Sequence, residues 1–102
     1  MNDKDLRSLL ADASGDLFDL KAELGDVIYK PNRCAVYRTP GSWVVKLVLR
    51  GASRRDEVDV QKTFTDEFLS ACIETHGPDL AFQLLKTSMR KMFRSEIDRV
   101  MA

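Results

Sequence analysis

The sequence predicts an α+β domain: an N-terminal helix, a three- or four-stranded antiparallel meander, and two C-terminal helices packed on one sheet face. Three observations predict it. Leu6, Leu10, Ala13, Leu17, Leu20 and Leu24 recur at alternating spacings of four and three, which stacks them on one face of a helix. Residues 26–50 then change to β-branched and aromatic runs divided by turn sequences. Beyond Pro78 a second long apolar row returns at helical spacing.

Asn2 or Asp3 can cap the first helix, and Gly25 stands where a helix commonly stops. Ser14-Gly15 interrupts its interior at a cost of about 1 kcal/mol. Because the leucine register continues across the interruption, one helix is expected rather than two. Val27 to Tyr29, Cys34 to Tyr37 and Trp43 to Leu49 read as strands, with Lys30-Pro31-Asn32-Arg33 and Thr39-Pro40-Gly41-Ser42 as the turns between them. In the third run Trp43, Val45, Leu47 and Leu49 share one face, and Val44, Lys46, Val48 and Arg50 share the other. That pattern describes a strand covered on one side and half wet on the other.

Residues 57–64 fit either of two elements. Val58, Val60, Lys62 and Phe64 alternate with polar residues as a strand would, yet Asp56 and Glu57 would suit the first turn of a helix. The β-branched content favours a strand, with Thr65 capping a helix that begins at Asp66. Phe68, Leu69, Cys72 and Ile73 form the apolar face of that short helix, which ends at His76-Gly77. Pro78 suits the first position of the last helix, where its missing N–H breaks no bond. Phe82, Leu85, Met89, Met92, Phe93, Ile97 and Val100 make the apolar stripe of this helix. It could pack on the leucine row within one subunit, or one of the two rows could serve a homodimer.

Residues 1–102 are expected to form a single domain. A composition of 44% hydrophobic and 31% charged residues is that of a soluble globular chain, not a disordered one. The longest run without a charged residue is seven, residues 39–45, far short of the roughly 20 needed to span a bilayer. Asp3 and Asp5 stand where a secretory leader would carry positive charge, so a cytoplasmic chain is expected. The two cysteines agree with a reducing compartment, and with only one histidine they form no recognisable metal set.

Net charge is zero, but its distribution along the chain is uneven. Residues 1–30 carry four bases and seven acids, and residues 56–76 carry one base and six acids. Between them lie Arg33, Arg38, Lys46, Arg50, Arg54 and Arg55, with no acid among residues 31–55. Five arginines in six bases suit bidentate recognition of carboxylate or phosphate. With Tyr29, Tyr37 and Trp43 nearby, the region could also stack and neutralise single-stranded nucleic acid. The plainer alternative is internal compensation, in which the flanking acids fold against these bases. Lys86, Arg90 and Arg94 form a second basic row on the last helix, most simply a solvated face.

The chemistry of catalysis leaves no trace in the sequence. His76 has a sufficient structural reason at a helix C-terminus, and Ser70, Cys72 and Thr75 lie near it without a surrounding motif. Cys34 and Cys72 read as packing residues. No glycine-rich phosphate loop or dinucleotide fingerprint appears, and no catalytic, cofactor-binding or metal-ligating residue is assigned. The expectation is a small non-enzymatic regulatory or inhibitory protein. It would grip an acidic macromolecular partner through the six bases, a protein in preference to nucleic acid because the chain's pI is about 6.6.

Overall fold

The computed structural model describes residues 2–53 and 55–102. Helix α1 (Asp3–Ala13) begins where the Asn2 side chain accepts a 2.9 Å hydrogen bond from the Asp5 N–H, with Asp3 and Asp5 at the positive end of the dipole. Leu6, Leu10 and Ala13 are its buried face.

The single helix expected up to Leu24 is not what forms. The Ser14 hydroxyl donates to the Ala11 carbonyl at 2.8 Å, and the chain tightens into a 3-10 turn over Ser14–Asp19. Residues three apart eclipse one another in a 3-10 helix, so the spacing of Leu17 and Leu20 keeps both pointing at the core. Leu20 is already extended, and the chain continues as strand β1 (Ala22–Leu24), which leaves Leu24 half exposed. The leucine row is thus real, but three kinds of backbone share it.

Strands β2 (Val27–Thr39), β3 (Ser42–Arg50) and β4 (Glu57–Thr65) complete a four-stranded antiparallel sheet of order β1-β2-β3-β4. Lys30 to Arg33, expected as a turn, lie inside β2. Pro31 faces Leu49, and the register shifts between Pro31 and Arg33 as a bulge. Beyond Tyr29 the strand has, among the described residues, β3 as its only strand neighbour, and an edge position at a bulge is where a sheet admits proline. Thr39 and Ser42 pair across the Pro40-Gly41 turn, where Gly41 takes a φ of +71° that a side chain would oppose.

Residues 57–65 are a strand, and the Thr65 hydroxyl accepts from the Phe68 N–H at 3.1 Å to open α2 (Asp66–His76). Leu69 is the buried residue of α2; Cys72 and Ile73 are half-buried, whereas Phe68 is 51% exposed. Pro78 begins α3 (Pro78–Met101). Ala81, Leu85, Met89, Phe93 and Ile97 are buried at a strict spacing of four, Phe82 and Met92 flank them, and Val100 turns outward.

One face of the sheet carries the core. Trp43, Val45, Leu47, Leu49, Val60 and Phe64 join Leu6, Leu10, Leu17 and Leu20 and the α3 row in a single apolar cluster. Both helical rows that could have served a dimer therefore pack inside the subunit. Among the described residues no second layer covers the opposite face. Its Ala35, Tyr37, Asp59, Gln61 and Thr63 are exposed, yet Val44 and Val48 are buried between neighbouring side chains on the central strand.

Candidate functional site

The pairing of β2, β3 and β4 places side chains on the uncovered face in rows. Lys30, Arg50 and Glu57 form one row, Arg33, Val48 and Asp59 the next, and Ala35, Lys46 and Gln61 a third. The face thus presents Lys30, Arg33, Lys46 and Arg50 against Glu57 and Asp59. The Arg50 Nε reaches Glu57 at 3.2 Å, the Lys46 Nζ reaches Asp59 diagonally at 3.2 Å, and Arg33 approaches Glu57 at 4.0 Å. Two carboxylates serve three cations, and the Arg33 side chain remains 63% exposed.

Arg38 does not belong to this face. It pairs with Trp43 on the core side, and its guanidinium forms a two-pronged ion pair with Asp66, one arm at 2.7 Å. Asp3 lies 3.6 Å away, and the Trp43 ring 5.1 Å below the guanidinium. The Arg38 hydrogen bonds hold the Asp66 carboxyl below its ordinary value, and the same contact pushes Arg38 up. Arg7 stands over the same indole at 5.5 Å. Arg38 is a clamp that joins the starts of α1, β3 and α2.

Arg55 lies in the β3–β4 connection. This loop is closed by the Gly51 N–H donating to the Asp56 carbonyl at 2.7 Å, while the Asp56 carboxylate accepts from the Ser53 N–H and hydroxyl. A Cβ on Gly51 would stand 2.8 Å from both Val27 and Asp56, so this strand end admits no side chain. Arg54 lies outside the described residues. Of the three aromatic residues considered for stacking, Tyr29 and Trp43 are core residues, and only Tyr37 is on the open face.

The second basic row behaves differently. Arg90 donates to the Asp16 carbonyl at 3.0 Å and Arg94 to the Lys21 carbonyl at 2.7 Å, so both tie α3 to the segment that follows α1. Lys86 lies 3.5 Å from the Asp16 carboxylate, and Arg94 also pairs with Asp98 at 2.7 Å. A groove of about 700 Å³ opens between these residues and the 3-10 turn. Sequence reasoning located the row but not its acceptors, because a backbone carbonyl more than 70 residues away leaves no mark in composition or spacing.

His76 is exposed at the end of α2, and Cys34 and Cys72 are half-buried against the core. Burial pushes the Cys34 thiol up, against a smaller opposing effect of a hydrogen bond with Ser14. No helix is long and apolar enough to cross a membrane among the described residues. No protein family matches the chain, and neither does any curated protein or solved structure.

Proposed function

We propose that this chain is a small non-enzymatic binding protein, regulatory or inhibitory, that works in the cytoplasm by holding an acidic protein on the open face of its sheet. The observation that carries this reading is the uncovered face itself, with four cations against two carboxylates and the Arg55 loop at its charged end. The internal ion pairs do not disqualify it. Exposed pairs of this kind contribute only about 0–1 kcal/mol, so Arg33, Lys46 and Arg50 can exchange a carboxylate at home for one on a partner. Arg38 takes no part, since its guanidinium is committed to Asp66 and Trp43. Arg54 belongs to the proposed contact by its place in the sequence beside Arg55.

A protein partner is favoured over nucleic acid for two reasons. The face offers one aromatic ring for stacking, and the Glu57 and Asp59 carboxylates along β4 would repel a phosphate backbone. The test compares the wild-type chain with Arg33→Ala/Arg55→Ala and Arg54→Ala/Arg55→Ala as baits in native lysate. An acidic protein held by the wild type should be lost from both variants while their circular dichroism stays unchanged. Equal capture by correctly folded variants removes the reading. Gel-shift titration with single- and double-stranded DNA and RNA at about 50 mM salt should show no complex; a shift that collapses steeply with salt would replace the protein partner with nucleic acid.

A further inference from the structure

The groove beside α3 has a chemistry that the sheet face lacks. Its floor is two adjacent rows of α3, one of Lys86, Arg90 and Arg94, the other of Gln83, Thr87 and Lys91; its wall is the 3-10 turn and Leu20. A volume of about 700 Å³ falls within the range of about 300–1,000 Å³ typical of small-ligand sites. Two carboxylates, Asp16 and Asp19, line the groove against the four cations Lys86, Arg90, Lys91 and Arg94. Asp16 faces Lys86, and Asp98, outside the lining, faces Arg94, so the lining keeps a positive balance. Arg90 spends one N–H on a neutral carbonyl, which fixes the direction of its guanidinium but cancels none of its charge. Lys91 is exposed one residue further along the helix.

A cation held in place before a ligand arrives loses little freedom when it binds, and a guanidinium fork with unspent donors matches a phosphate oxygen pair. Gln83 and Thr87 add neutral donors and acceptors beside the charges. We propose that the groove between α3 and the segment following α1 binds a small phosphorylated molecule, with Arg90 and Lys91 gripping its phosphate and Gln83 and Thr87 facing its uncharged part. The site is separate from the open sheet face and stands or falls without it.

Inorganic pyrophosphate is the probe, titrated into the isotope-labelled full chain at low ionic strength and followed by amide chemical shifts. Saturable shifts should cluster at residues 16–21 and 83–95. Arg90→Gln should weaken binding about tenfold and Lys91→Gln about threefold, the losses expected for a charge-assisted hydrogen bond and a single nearby charge. Arg90 also supports the wall, so Lys91→Gln, which removes no hydrogen bond or ion pair among the described residues, keeps the test valid if Arg90→Gln unfolds. Three outcomes overturn the site: no response in the groove, shifts that sodium chloride of equal ionic strength reproduces, or groove binding that Lys91→Gln leaves unchanged.

Discussion

The open sheet face and the α3 groove are both cationic, yet their charges answer to different partners. On the sheet, Lys46 and Arg50 meet side-chain carboxylates one strand away, and those partners are themselves exposed. On α3, Arg90 and Arg94 donate to backbone carbonyls of the segment after α1, which Lys86 also meets through the Asp16 carboxylate. A side-chain pair neutralises charge and contributes little to the fold. Arg90, bonded to a neutral carbonyl, keeps its charge and holds two elements together; Arg94 holds them too, while also pairing with Asp98. The comparison separates cations that can be lent to a partner from cations the fold itself requires.

The largest effect is expected at the hinge of the sheet's charged end. Gly51→Ala places a Cβ 2.8 Å from the Val27 Cγ1 and from the Asp56 Cβ; the Val27 methyl can rotate away, but the Asp56 Cβ gives way only if the loop moves. Overpacking of this kind costs about 1–3 kcal/mol, which corresponds to roughly 5–20 °C in Tm for a domain of this size. Thermal unfolding followed by circular dichroism measures it. A Tm within about 2 °C of wild type would mean that the loop carrying Arg55 is not anchored as described.

Next comes Arg94→Met, which keeps the aliphatic stem and removes both the donor to the Lys21 carbonyl and the exposed pair with Asp98. A hydrogen bond from a charged group contributes about 1.5–3 kcal/mol, and partial exposure places this one near the lower end. Urea unfolding should show a lowered midpoint. Hydrogen exchange should speed up at residues 20–24 before it does in β3, since that short segment relies on α3 and on its pairing with β2.

These two sites also show how much the sequence disclosed. The central strand was legible because Trp43 to Leu49 is a short apolar, β-branched run that follows a Pro-Gly turn. The Thr65 cap and the Pro78 start were legible because both rest on local chemistry. The leucine row misled because a spacing of three fits a 3-10 turn as well as an α-helix, and only packing decides between them. Pro31 misled for a related reason. Turn chemistry and an edge bulge use the same residue, and which one forms depends on whether a second strand lies alongside. The six bases were visible as a run, but which of them keep net charge depends on β3–β4 register. That register sets Glu57 opposite Arg50 and Asp59 opposite Val48.

A third cation stands between the two regions. Lys62 points from edge strand β4 toward the core side and meets Glu96 of α3 at 3.2 Å, and Arg99 pairs with the same carboxylate. First Arg99 and then Lys62 lower the Glu96 carboxyl from its ordinary value of 4.5 to about 2. Its folded value is depressed, so its contribution is present above about pH 4.5 and is lost as pH falls through about 2. Urea midpoints across that window should fall more steeply for the wild type than for Glu96→Gln. Parallel curves would mean that the pair does not join helix and sheet in solution. Lys62→Val removes an inward charge from an unpaired edge and should increase association between copies, read by light scattering.

The smallest effect is the one the comparison depends on most. Lys46→Ala and Arg50→Ala each break an exposed pair whose partner can turn to water, so each should change stability by no more than about 0.5–1 kcal/mol. Arg94→Met should exceed both in the same urea series. Binding should rank them the other way: loss of Lys46 or Arg50 weakens capture of an acidic partner, and loss of Arg94 leaves it intact. If the sheet variants lose as much stability as Arg94→Met, the cations of the open face belong to the fold and are not available to a partner. If they lose little, these cations are free to exchange a carboxylate at home for one elsewhere, as the proposed contact requires.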